Sequence, residues 1–235
     1  MQTAQFMADL DKIIANRNLL KHPFYQLWSQ GSLSVDSLRE YAKQYYKHVD
    51  AFPTYVSGAH SRCPDFADRQ LLLENLLEEE RGERNHRELW LRFGESLGLG
   101  RQEMIEVEPL PETLALDAAF SALTKDGSFV QAIAALYAYE TQLPAVSESK
   151  LHGLREFYGI SDRRGTQFFA VHKSIDVEHS RVTGEMLARY AGDGSTQSEA
   201  RQAVQAAVDA LWGFLDGVQR EYVGQPPGRQ APAPA

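Results

Sequence analysis

The sequence predicts an all-α protein built as one bundle of about seven helices. Three observations carry that reading. Apolar residues recur at helical spacing through most of the 235 residues. The alternating β-branched runs that mark strands are absent. The connections are short, at Pro109–Pro111, Lys125–Gly127 and Ala191–Thr196, and none has the length or composition of a domain linker.

In chain order, the helical pattern occupies Phe6–Ile14, Leu38–Tyr55, Leu71–Leu97, Phe120–Leu143, Phe168–Tyr190 and Ala203–Val218. Ser34 caps the second of these, with Asp36 in its first turn. Gly98 and Gly100 close the third, and Asp162 opens the fifth. Pro144 lies four residues after Glu140, where its ring clashes with the carbonyl of residue 140 and kinks the helix beside that carboxylate. One domain is expected over residues 1–223. The last twelve residues, 224–235, hold four of the ten prolines and read as a tail outside it.

Composition narrows the function. With 43% hydrophobic and 24% charged residues, the chain is an ordinary globular one rather than disordered, collagenous or disulfide-stapled. The net charge of −8 leaves no electrostatic footprint for nucleic acid. Cys63 is the single cysteine, which excludes an intrachain disulfide and a cysteine-based metal site. No apolar run approaches the ~20 residues that span a bilayer. The opening Met1–Lys12 carries charges where a signal peptide is apolar, so a cytoplasmic location is expected.

Three segments carry chemistry. In Val171–Ser180, His172, Asp176 and His179 fall in one sector of a helix turning about 100° per residue. Phe168, Phe169 and Ile175 make that stretch a buried one. Burying two imidazoles with a carboxylate is costly unless a cation compensates, and a first-row divalent metal takes these ligands. The competing reading is an exposed polar stripe. In Leu76–Trp90, His86 has two candidate carboxylate partners. Glu83 makes a Glu-x-x-His pair of the ferritin-like kind, and Glu79 lies seven residues before His86, about 20° off the same meridian. A solvated charge run is the alternative there. Glu140 is the first acid of an otherwise apolar helix, and it either needs a partner or marks the helix end.

Together Glu79, His86, Glu140, His172, Asp176 and His179 supply three imidazoles and three carboxylates from three helices, a donor set suited to two iron or manganese ions. Zinc hydrolysis does not require so many ligands.

At these residues the chain resembles the haem-oxygenase-like diiron oxidases. Within them it resembles the CADD-like family, named for the Chlamydia protein associating with death domains, over roughly residues 5–222. The family pattern of Glu-x6-His, a lone Glu, then His-x3-Asp-x2-His is present without a gap, which favours Glu79 over Glu83. It separates the chain from the cofactor-free pyrroloquinoline-quinone synthases and from TenA-type thiaminases with their cysteine nucleophile. Cys63, beside Pro64 and without a base, is not given that role.

The resemblance implies a haem-oxygenase-like fold and a dimetal oxygenase with Fe/Fe or Mn/Fe. It also implies dioxygen and an external reductant as co-substrates. The product would be p-aminobenzoate for folate synthesis, with a tyrosine of the protein giving the ring and a lysine the amino nitrogen. Tyr25 stands at the sacrificial tyrosine, Lys150 at the lysine, and Tyr41 and Tyr139 at further tyrosines near the metal centre. Tyr139 points about 100° from Glu140, suiting radical transfer or packing better than ligation. Homodimers are common among such relatives. The alternatives are a dimetal oxidase of an external small molecule and a non-catalytic helical interaction protein.

Overall fold

In a computed structural model, residues 2–223 are described, and the expected tail at 224–235 lies outside them. Eleven α-helices occur among the described residues, and no β-strand does. They are α1 Gln2–Asn16, α2 Pro23–Ser29, α3 Val35–Arg62, α4 Phe66–Glu80, α5 His86–Ser96, α6 Arg101–Ile105, α7 Pro111–Ser121, α8 Phe129–Glu140, α9 Leu143–Glu156, α10 Arg163–Tyr190 and α11 Gly194–Val218. No described helix is long and apolar enough to cross a membrane.

The count exceeds the expected seven because short helices fill connections and two expected helices are divided. Leu71–Leu97 is not continuous. Gly82 takes a left-handed φ of +76°, and Asn85 then starts α5 by accepting a hydrogen bond from Glu88 N at 2.8 Å. Near Pro144 the chain does not kink but stops. It turns at Thr141–Gln142 and restarts as α9 with the proline in its first turn, where no amide donor is needed. Two loops are shorter than expected, since Pro111 already begins α7 and Asp193 caps α11 at Gly194. Ser34 and Asp162 cap α3 and α10 as expected.

Helix α8 is the centre of the bundle. From Ala132 to Glu140 every residue is buried, as a helix that is apolar on all sides requires. α3, α10 and α11 pack around it, and α5 and α9 flank α10. This arrangement buries polar side chains from α3, α4, α5, α8 and α10, among them His48, Glu79, His86, Glu140 and His172.

The junction of α2 and α9 depends on close approach. A Cβ at Gly153 would stand 2.7 Å from Trp28 Cδ1 and 3.1 Å from the Trp28 carbonyl. Trp28 Nε1 in turn donates to the Lys150 carbonyl at 3.3 Å. Gly153→Val is therefore expected to destabilise the protein by about 1–3 kcal/mol through overpacking, read as a lower urea midpoint.

Candidate metal centre

The end of α4, the start of α5 and the middle of α10 meet at one point inside the bundle. Glu79, His86 and His172 each place a donor atom within 4.8 Å of the other two, and all three side chains are buried. They line a cavity of about 10 Å³ with Asp176, Tyr139, Phe52 and Phe168. The break at Gly82 creates this geometry: Glu79 and His86 sit on facing ends of two helices, not two turns apart on one.

Several atoms here have no ordinary partner. His86 Nδ1 lies 2.6 Å from Glu79 Oε2 but at an angle that makes no hydrogen bond. His179 Nδ1 lies 3.4 Å from Asp176 Oδ1, and neither it nor Asp176 Oδ2 has a hydrogen-bond partner. Buried polar atoms are normally satisfied, so orphaned imidazole and carboxylate atoms converging on a small cavity fit a cation. His172 Nδ1 is held by the Phe168 carbonyl at 2.7 Å, the contact that orients a metal-binding imidazole through its other nitrogen.

The remaining residues of the expected set lie beside this group. Glu140, fully buried, accepts from Asn75 Nδ2 at 2.9 Å and from Thr183 Oγ1 at 3.3 Å. His179 Nε2 meets Glu78 Oε2 at 2.7 Å, where a cleft of about 160 Å³ reaches in from the surface. Glu83, the ferritin-like alternative, is exposed in the turn between α4 and α5.

Electrostatics tie these groups together. Burial opposes ionisation of Glu79, but the neighbouring His86, then His172 and His179, outweigh it and hold the carboxyl below its usual range. Burial likewise opposes a charge on His179, but Asp176, Glu140 and Glu78 raise it to about 9. Burial pushes Glu140 up to about 8. For His172, burial and then His86 push the pKa down.

A second polar cluster lies deeper. Lys150 is buried with its Nζ 4.8 Å from the Tyr25 ring centroid, 4.9 Å from Tyr41 and 5.2 Å from Tyr45; Trp28, Trp90 and Phe169 complete the cage. Nζ donates to Tyr41 Oη at 2.6 Å, and Tyr41 Oη meets Tyr25 Oη at 3.0 Å. Burial pushes the Lys150 pKa far down, favouring the neutral amine, and pushes the phenols of Tyr25 and Tyr41 up. The two clusters are connected. Tyr41 stacks on Tyr45 with centroids 5.4 Å apart, Tyr45 Oη meets Tyr139 Oη at 2.6 Å, and Tyr139 lines the carboxylate–imidazole cavity.

Sequence reasoning missed Asn75, Thr183, Glu78, Tyr45 and His48. Asn75 and Thr183 each stand four residues from an expected ligand, Glu79 and His179, which was the available signal. Tyr45 likewise stands four residues from Tyr41. His48, one of four histidines outside the pattern, packs against the rings of Tyr45, Phe52, Tyr55, Phe120 and Tyr139.

The comparisons agree with this architecture. A crystal structure of a TenA homologue from Pseudomonas syringae aligns with a TM-score of 0.79 at 21% identity, covering 92% of both chains. A CADD-like protein of unknown function from Nostoc punctiforme aligns at 0.74 and 20% identity, covering 95% of this chain and 99% of that one. The fold is thus the one shared by TenA homologues and CADD-like proteins. The family described as iron-containing redox enzyme matches residues 39–212. A 4-aminobenzoate synthase of Nitrosomonas europaea is 39% identical, covering 94% of each chain. One of Chlamydia trachomatis is also 39% identical, covering 90% of each. The chain belongs to the iron-containing redox enzymes, in the family of these 4-aminobenzoate synthases.

The orphaned His48 yields a pH prediction. Both its ring nitrogens lack partners, and burial pushes its pKa down to about 3. Below about pH 6.5 the unfolded chain binds a proton there that the folded chain refuses, so stability falls toward acid by about 1.4 kcal/mol per pH unit. His48→Leu is expected to stabilise the metal-free protein, and by more at pH 5 than at pH 8, read from urea midpoints at the two values.

Proposed function

We propose that the chain is a 4-aminobenzoate synthase, a dioxygen-dependent dimetal oxygenase that forms p-aminobenzoate for folate synthesis from its own side chains. Tyr25 gives the ring and Lys150 the amino nitrogen. The observation that carries this reading is the Lys150 cage. An amine and a phenol ring lie 4.8 Å apart in a dry aromatic box, bridged by Tyr41 and joined through Tyr45 and Tyr139 to a carboxylate–imidazole cavity. An interaction module has no use for such an interior, whose polar groups are costly to bury.

Glu79, His86 and His172, with Asp176, Glu140 and His179, would hold two first-row ions, Fe/Fe or Mn/Fe. Such ions, when bound, supply oxidising power from dioxygen, with electrons from an external donor. The protein's own residues do the rest. Phe52 and Phe168 wall the cavity, and the six rings around Lys150 exclude water from the amine. The phenols of Tyr139, Tyr45, Tyr41 and Tyr25 form a line along which an electron can pass outward from the cage toward the cavity. Each phenol that loses an electron must also release its proton. Lys150 Nζ, 2.6 Å from Tyr41 Oη and shifted by burial toward the neutral amine, lies within reach of the proton that Tyr41 releases. Trp28 fixes the backbone of Lys150, so the amine stays over the Tyr25 ring. A protein that consumes its own tyrosine turns over at most once.

Two outcomes are expected. Purified protein loaded with iron, with or without manganese, and given reductant and oxygen but no substrate, should release p-aminobenzoate, at most about one per chain. Tyr25→Phe and Lys150→Ala should each abolish it, measured by mass spectrometry. Undiminished product from Tyr25→Phe would show that an external molecule is the substrate. Separately, Glu79→Gln or His172→Ala should lower bound metal from about two ions per chain to about one or fewer, by elemental analysis and anomalous scattering at the iron and manganese edges.

A further inference from the structure

A large surface concavity lies outside the chemistry described above. It is a groove of about 610 Å³ formed by the C-terminal end of α9, the connection to α10, the first half of α10 and the turn before α5. Ala170, Val171 and Ile175 give it an apolar floor, and Arg84, Arg155 and Arg163 stand around it. No aspartate or glutamate is among its lining residues, although the chain carries a net charge of −8.

The arginines are what set the groove apart. Most arginines elsewhere are matched to carboxylates, among them Arg17 to Asp209, Arg87 to Asp50, Arg101 to Glu88, Arg189 to Asp68 and Arg220 to Glu112; Arg62, Arg69 and Arg81, which lack such a partner among the described residues, do not line this groove. Even Arg164, the next residue after Arg163, pairs away from the groove with Glu95 at 2.6 Å. Arg84, Arg155 and Arg163 have no hydrogen bond or ion pair among the described residues. Ser161 and Gln167 add polar side chains that are likewise uncommitted. Three unneutralised guanidiniums around one concavity repel one another, and bound negative charge relieves that repulsion. The planar fork of arginine matches phosphate oxygens bidentately.

We propose that this groove binds a phosphate-bearing small organic anion. Its volume lies within the range of small-ligand pockets, about 300–1,000 Å³, and its concave shape differs from the broad surface of about 800 Å² per partner that a protein complex uses. The apolar floor seats the organic part of the ligand while the arginines hold the phosphate. The groove backs onto the buried cavity, since Val171 and Ile175 line one and their neighbours His172 and Asp176 line the other. The assignment does not rest on the synthase reading, because it concerns different side chains.

The test is calorimetric titration of the full chain with inorganic pyrophosphate and with flavin mononucleotide. Saturable binding of one or both is expected, weakening as salt is raised. Arg84→Gln, Arg155→Gln and Arg163→Gln should each weaken it by about tenfold or more. Arg220→Gln, on a paired arginine elsewhere, should leave it unchanged. All four side chains are exposed, and circular dichroism melts check that each variant folds. No binding of either probe, or binding that the three groove variants do not weaken, overturns the proposal. So does binding of an acidic protein to this face when neither small anion binds.

Discussion

The burial of charge governs this molecule. Carboxylates, imidazoles and an amine that would each favour water are held inside an otherwise apolar bundle, and each burial must be offset by a neighbour. Around Glu79 the offset is mutual, since imidazoles from α5 and α10 favour its ionised form and it favours theirs in return. Around Glu140, Asn75 and Thr183 supply hydrogen bonds, yet they do not balance burial, and the pKa stays raised. The atoms left without partners, on His86, Asp176 and His179, gather where these elements meet. A bundle that merely needed stability would have placed leucine there.

The same constraint acts with the opposite result on the other side of the core. Among the described residues Lys150 has no carboxylate beside it, only rings and the Tyr41 hydroxyl, so burial acts without an offset and pushes its pKa far down, toward the neutral amine. A neutral amine is a nucleophile and a proton acceptor, which an ammonium is not. Between the two regions α3 contributes Tyr41 and Tyr45 at helical spacing, and α8 contributes Tyr139 beside Glu140. The phenols therefore bridge one region where charge is stabilised and another where it is suppressed.

Much of this was legible in the residue pattern, for identifiable reasons. His172, Asp176 and His179 lie on one uninterrupted helix, so a fixed turn per residue is enough to place them together. The cap at Asp162 and the buried Phe168 and Phe169 made the helix and its inward face readable. Glu79 and His86 were harder, because periodicity treats Leu71–Leu97 as one helix, whereas Gly82 divides it. Their proximity depends on how α4 and α5 meet. Pro144 announced a disruption correctly, but whether the chain kinks or restarts depends on the packing of α9 against α10. Tyr25 and Lys150 entered only through a family resemblance, since neither carries a local pattern.

By itself, then, the amino-acid order determined the all-helical class, the starts of α3 and α10, the ends of α10 and α11, and the face of α10 that carries His172, Asp176 and His179, because these follow from interactions within a few residues along the chain. Which carboxylate faces His86, the aromatic box around Lys150 and the set of unpaired arginines were decided only in three dimensions. Each joins side chains from separate helices, and their distances are set by how those helices pack, which no local spacing encodes.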